Sequence, residues 1–476
     1  MITGLGLTSG YGLGHRPLWD GLQAGRTAIA PIDPARPPGF DASGFAWRLS
    51  ATIPGLDAKE HVPKSYRKAV KVMARDTEIA VACASLAVAD AGWKTRFHAG
   101  EGNLEGGGTG AATTYPPARV GCHIGAGLIA TEVGELASAM ATAATPDGGF
   151  DERAWGTIGA EQGVPPPSPS QSLADTSPAR GGDGVPGVAR GGMNNLQPLW
   201  LLKYLPNMLA CHVTIVHGLE GPSNTITCGE ASGLLSIGES ARVIERGAAD
   251  ASLAGGAESK ISPMGLMRWG LAGRLARCGA GDDPLQVVRP FEVGSRGSVL
   301  GEGGGLLVLE SERSAIDRGS TGPGVEIAGF GAAQAVPSAM PYVGGAGSGD
   351  AAALADAIHR ALADAEMGPQ DVEAVIPLGA GSVEADTAEW AGLRAVFGER
   401  LDTLCMVGLT PFIGNCVAGH GALAVGVAAM MAIQRRPPAG AVLRGGPLGP
   451  RGKWPCNILV CAGSLGGQAA AIVVRY

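Results

Sequence analysis

Apolar residues change their spacing along the chain, and each change marks an element. Residues 2–9, ITGLGLTS, form a short apolar run that predicts a first strand. Across residues 67–91, Val70, Met73, Ile79, Ala82, Leu86 and Ala89 recur at mixed three- and four-residue spacing. That predicts an amphipathic helix. Residues 100–117 are rich in Gly, Thr and Pro and predict a loop, followed by a buried strand at 119–124 and a helix at 125–140. After residue 199 the order resumes and carries through to 217. A strand at 223–227 leads into a helix at 231–246, where Leu234, Ile237, Ala241 and Ile244 share one face. A further strand is expected at 250–255, and residues 297–309 read as a glycine-dense turn between strands. The remainder predicts strand (324–329), helix (351–365), strand (374–377), helix (386–397), helix (420–434) and a closing hairpin (457–475). Two successive sets of alternating strands and helices predict a layered α/β fold with an internal repeat.

Between 144 and 195 the periodicity weakens, and Pro, Gly, Ser, Ala and Asp dominate. So little apolar surface predicts a solvated, disordered surface insertion. We expect an N-terminal half at 1–285, carrying this insertion, and a C-terminal half at 286–476.

Composition narrows the function classes. A chain of 476 residues that is 45% hydrophobic can bury a large core, which excludes global disorder. Aromatic residues make up only 5% and the net charge is −7, which argues against nucleic acid as a partner. No apolar run reaches the ~18–20 residues that span a bilayer. The start, MITGLGLTSG, lacks the basic and apolar regions of a signal peptide. The nine cysteines are scattered without a CxxC pair, which suits free thiols in a reducing cytoplasm. The eight histidines form no metal-ligand pattern, so no metal site is expected.

Four segments stand out together: GPSNTITCGEASG (221–233), VLGEGGGLLVLE (299–310), NCVAGHGALAVG (415–426) and AGSLGGQAAAIVV (462–474). With ITGLGLTS at the start and ADASLAGGAES at 249–259, this ordered set resembles the β-ketoacyl synthase family of the thiolase fold. The resemblance implies a thiolase-like α/β fold: two pseudo-repeated βαβ halves in a layered α-β-α-β-α arrangement. It covers nearly the whole chain outside the insertion.

The family's condensing chemistry uses a cysteine at a helix start, two histidines and a lysine. The helix dipole favours the thiolate, and the histidines support decarboxylation and hold the developing enolate oxygen. The resemblance places the cysteine position at Glu230, the first histidine position at Leu378 and the lysine position at Asn415. The second histidine is retained as His420, and Leu465 stands where the family commonly carries a gating phenylalanine. Leu128 and Ile129 would follow the family in lining the acyl pocket near a dimer interface. Cys228, two residues before the slot, reads as a buried small residue, and a displaced nucleophile is its alternative. His123 and His212 match no catalytic position, and Glu302 matches a glutamate that orders backbone near the site.

A carboxylate cannot form the acyl thioester that condensation requires. At a helix start it would be favoured by the dipole and capping N–H groups, so Glu230 is expected to stabilise that helix. The resemblance then implies a non-condensing, chain-length-factor-like partner, lacking the nucleophilic cysteine. Such a subunit pairs with an active ketosynthase in type II polyketide or fatty acid biosynthesis and shapes the acyl cavity. No cofactor is implied beyond acyl groups carried on the phosphopantetheine of acyl carrier protein. The partners would be an active ketosynthase, as a heterodimer, or a second copy, as a homodimer, together with acyl carrier protein. The alternatives are a stand-alone 3-oxoacyl synthase and a malonyl decarboxylase using Glu230 and His420. Against decarboxylation, an ionised Glu230 would face the malonyl carboxylate. At ~4 Å and an effective dielectric near 20, like charges repel by roughly 4 kcal/mol.

Overall fold

The computed structural model describes residues 1–98, 113–156, 193, 196, 200–320, 324–335, 351–445 and 457–476. The principal strands are β1 (Ile2–Ser9), β2 (Val120–Gly125), β3 (Ser223–Ile226), β4 (Ala251–Ser259), β5 (Leu300–Glu310), β6 (Glu326–Gln334), β7 (Ala374–Ile376), β8 (Cys405–Val407), β9 (Asn457–Gly463) and β10 (Gln468–Arg475). The principal helices are α1 (Arg75–Asp90), α2 (Met208–His217), α3 (Ser232–Glu245), α4 (Ala351–Asp364), α5 (Val383–Phe397) and α6 (His420–Gln434).

The internal repeat is explicit in the strand pairing. In the first sheet the order is β1-β5-β4-β2-β3, and in the second it is β6-β10-β9-β7-β8. Each step matches its counterpart: two antiparallel pairings, then two parallel ones. The helix that follows β3 is α3, and the long helix that follows β8 is α6, so these two occupy equivalent places.

Three apolar clusters define the layers. A central cluster joins α3 and α6 to the inner faces of both sheets, through residues such as Leu7, Leu234, Ile237, Leu307, Val425, Val460 and Ile472. A second packs α1 and α2 on the outer face of the first sheet, and a third packs α4 and α5 on the outer face of the second. The result is the α-β-α-β-α stack of a thiolase-like fold. Every residue of α6 from His420 to Ala432 is buried. Contrary to the expectation that no apolar run reaches membrane-spanning length, the stretch Val417–Gln434 is long enough to cross a membrane by length and composition, but 89% of it lies inside the fold. It is the central core helix.

Several expectations change. Residues 297–309 do not turn: β5 is one continuous strand, and its glycines serve close packing. A Cβ at Gly301 would lie 2.0 Å from the Ile413 carbonyl oxygen, and one at Gly305 would lie 2.9 Å from Leu7. The helix expected at 67–91 is two pieces, a 3₁₀ stretch at Lys64–Val72 and then α1, parted where Met73 and Ala74 become extended. The helix expected at 125–140 begins only at Val133, because β2 runs through Gly125. The first sheet continues to Glu310, so the change of sheet falls after residue 285.

Contacts divide the chain into Met1–Ala130 with Lys203–Tyr476, which carries both sheets, and Thr131–Leu202. Within the second unit, a helix at Val133–Ala141 precedes a turn closed by an Ala144–Phe150 bridge and a short helix at Glu152–Gly156. The insertion expected at 144–195 therefore starts with ordered elements, and residues 157–192 lie outside the described residues. The same holds for 99–112 of the expected loop.

Candidate active site

The site lies where the starts of α3 and α6 meet at the centre of the molecule. Glycines permit the approach: a Cβ at Gly233 would lie 2.6 Å from the Ala418 carbonyl oxygen, and one at Gly421 would lie 2.7 Å from Leu234 Cγ. A 3₁₀ turn precedes each helix, Gly229–Ala231 before α3 and Val417–Gly419 before α6. Glu230 sits in the first turn, and His420 opens the helix after the second.

Glu230 is 1% exposed and does not cap its helix. Its Oε1 accepts from Arg274 Nη2 at 3.0 Å and from Asn415 Nδ2 at 3.4 Å. The turn is held instead by Ser232, whose hydroxyl accepts from the Cys228 N–H and donates to the Gly229 carbonyl. The expected helix-stabilising role gives way to a buried ion pair, because a guanidinium satisfies a desolvated carboxylate better than partial helix charges do. Arg274 also compensates the Glu230 charge, which removes much of the repulsion argued against a malonyl carboxylate.

Asn415 is fully buried and works in both directions. While Nδ2 donates to Glu230, Oδ1 accepts from the Val417 N–H at 2.8 Å. Val417 has φ +45°, a strained conformation for a β-branched residue. A lysine here could donate but could not accept that N–H. The next N–H, of Ala418, donates to Glu258 Oε2 at 2.9 Å.

Leu378 is also buried, and its neighbourhood is polar at the backbone. Glu389, from α5, accepts the N–H groups of Leu378 and Gly379, each at 2.8 Å. Asp386 accepts those of Gly381 and Phe291, each at 3.0 Å. Gly379 at φ +53° and Gly381 at φ +78° supply the left-handed bends of this loop. Burial pushes Glu389 up to about 8 and Asp386 up to about 6, and their backbone N–H bonds oppose the rise, with a smaller pull from the Arg274 charge.

His420 is 1% exposed, and neither ring nitrogen finds a hydrogen-bond partner among the described residues. Burial lowers its pKa to about 4, so the imidazole is neutral at pH 7. Leu465 is half-buried in the loop before β10, and Ser464 of that loop would lie 3.3 Å from a Cβ on Gly229. Leu128 is 67% exposed, Ile129 is half-buried, and the Leu128 carbonyl accepts from Lys260 Nζ.

Cys228 is half-buried, and burial raises its pKa, opposite to what activates a thiol. His123 is bound by Ser240 and His212 by Tyr66, both framework arrangements. Glu302 pairs with Arg75 and accepts the Ile53 N–H, which ties remote backbone to β5.

The N-terminal domain of the β-ketoacyl synthases matches residues 186–315, and their C-terminal domain matches residues 333–439. The chain belongs to the β-ketoacyl synthase family. It is 26% identical to the 3-oxoacyl-[acyl-carrier-protein] synthase 2 of Vibrio cholerae over 400 residues, which is 84% of this chain and 77% of that one. It is 34% identical to the actinorhodin polyketide β-ketoacyl synthase 2 of Streptomyces coelicolor over 275 residues, 56% of this chain and 64% of that one. Among solved structures, the ishigamide ketosynthase/chain length factor superposes with TM-score 0.71 at 20% identity, covering 100% of this chain and 98% of that one. A β-ketoacyl synthase from Burkholderia phymatum gives TM-score 0.72 at 23% identity, with the same coverage. At these identities the structures establish the shared fold.

Arg274 was not legible as a site residue. The run Leu271-Ala272-Gly273-Arg274-Leu275-Ala276-Arg277 sets two arginines among small apolar residues, and only the fold distinguishes buried Arg274 from exposed Arg277. Asp386 and Glu389, three apart on α5, are likewise distinguished only by the fold.

Proposed function

We propose that this β-ketoacyl synthase homologue is a non-condensing subunit that pairs with an active ketosynthase and shapes its acyl cavity. The observation that carries this reading is Glu230, a carboxylate locked in a buried ion pair at the nucleophile position. It cannot form the thioester, Leu378 cannot hydrogen-bond an enolate oxygen, and Asn415 replaces the lysine. His420 alone keeps the chemistry of its position.

Pairing is supported by the sheet edge. Among the described residues β3 bonds β2 on one side only, and Ser223 and Asn224 are exposed. An open edge strand favours pairing with another chain. Leu128, exposed and three residues after β2, would bound the partner's acyl tunnel on this reading. Acyl groups would arrive on acyl carrier protein. In the type II polyketide complex of similar fold, an acyl-carrier protein is bound to its ketosynthase.

The test is co-expression with a cysteine-containing synthase from the same genome. A stable complex is expected, with Leu128→Ala and Leu128→Phe shifting product length without abolishing turnover. A homodimer that never exchanges with the synthase refutes the reading, as does a product distribution indifferent to Leu128.

The stand-alone reading draws on the relatives named 3-oxoacyl-[acyl-carrier-protein] synthase 2. It requires the purified chain alone to take up an acyl group or to release carbon dioxide from malonyl-carrier protein. Intact-mass and carbon dioxide measurements separate it from the partner reading.

A further inference from the structure

We infer that Arg274 and Asn415 form a built carboxylate-binding site whose resident ligand is the chain's own Glu230. Truncating Glu230 converts it into a site for a free monocarboxylate of matching length. This goes beyond pairing with a synthase and does not depend on it.

The donors are fixed before any ligand arrives. Arg274 has 2% of its side chain exposed, and its guanidinium keeps its charge when buried. Its Cζ lies 6.0 Å from the Trp269 ring centroid. Asn415 is aimed by its other end: Oδ1 holds the Val417 N–H, which leaves Nδ2 turned to the carboxylate. Cation and amide converge on one oxygen, Glu230 Oε1. This is the chemistry that recognises a carboxylate, with water excluded around it.

Side-chain arithmetic sets the ligand. Glu230→Ala removes a methylene and a carboxylate, the heavy atoms of acetate. Glu230→Gly removes one carbon more, the heavy atoms of propionate. The vacancy is polar on one side and bounded by packed helix starts, so length should discriminate. A neutral isostere or a spherical anion lacks either the charge or the shape.

The experiment measures the melting temperature of full-length Glu230→Ala and Glu230→Gly against sodium formate, acetate, propionate and chloride at constant ionic strength. Glu230→Ala should melt several degrees below the parent. Acetate should restore at least half the loss in a saturable way, more than propionate or chloride does. For Glu230→Gly the order of acetate and propionate should reverse. The parent and the double variant Glu230→Ala/Arg274→Met should show no acetate-specific rise. Should Glu230→Ala not fold unaided, the readout is its refolding yield from urea, at least twofold higher in acetate than in chloride. Equal response to acetate and chloride in both assays overturns the inference, and so does an equal acetate response after Arg274 is removed.

Discussion

Removing Arg274 is the sharpest perturbation of this fold. Arg274→Met keeps most of the side-chain volume and deletes the cation. The N···O distance of 3.0 Å at an effective dielectric near 20 corresponds to an attraction of about 5.5 kcal/mol. Desolvating the two ions costs several kcal/mol each, so the intact pair contributes little net stability. The variant keeps the cost of burying Glu230 and loses the attraction. We expect a loss of roughly 3–5 kcal/mol. Glu230→Leu alone should cost a similar amount, because the buried guanidinium loses the carboxylate it pairs with. Glu230→Leu/Arg274→Met should recover most of both losses, because a packed apolar pair stands in for the ions. The coupling energy of this cycle should therefore exceed about 2 kcal/mol. Urea titration followed by tryptophan fluorescence reads it directly, with Trp269 as a nearby reporter. A loss below about 1 kcal/mol for Arg274→Met, or a coupling near zero, would mean that the pair is not the electrostatic centre of the site.

Other consequences are briefer. Glu389 is pushed up to about 8 by burial, so the folded state holds a proton there that the unfolded state releases above its ordinary carboxylate range. Stability from this group is full at low pH and is lost as pH rises towards 8, with a slope of up to about 1.4 kcal/mol per pH unit. Glu389→Gln should flatten that slope in urea midpoints measured between pH 5.5 and pH 8.5, and an unchanged slope would contradict the assignment. His420, lowered to about 4, has the opposite sign: its contribution is present above about 6.5 and is lost on acidification, so His420→Phe should soften the acid limb of the same curve. Asn415→Ala orphans the Val417 N–H beneath a strained turn and should cost roughly 1–3 kcal/mol, measured by thermal unfolding. Glu230→Cys alone should give no condensation in a carrier-protein assay, since Leu378 and Asn415 remain and Arg274 loses its carboxylate. Near-family rates from that single change would refute this account.

What could be read in the sequence followed locality. The pattern of β3 into α3 and the run of α6 are set by residues a few positions apart, so periodicity reports them. The glycines of β5 were misread because they answer to partners far away in sequence. Gly301 and Gly305 leave room for segments near 413 and 422, and nothing in a local window distinguishes that from a turn. The 67–91 helix failed at Met73 and Ala74 for a related reason, since a period continues across a break that the backbone does not.

The site divides the same way. The resemblance assigns Glu230, Leu378 and Asn415 to catalytic positions residue by residue, but what these side chains do is a matter of pairing. Seen alone, a glutamate at a helix start suggests a cap. With Arg274 44 residues downstream, it becomes half of an ion pair, and Ser232 holds the turn instead. The replacements then read as a set. A carboxylate at 230 needs a cation, which Arg274 supplies. The amide at 415 steadies that carboxylate and the turn into α6 together. The loop at 378 presents a leucine, and Glu389 and Asp386 bind its backbone. Each of these three positions carries a satisfied hydrogen-bonding group or packed apolar surface. On the function proposed above, such a centre serves as structural core, and the remaining work of the subunit lies at its surface.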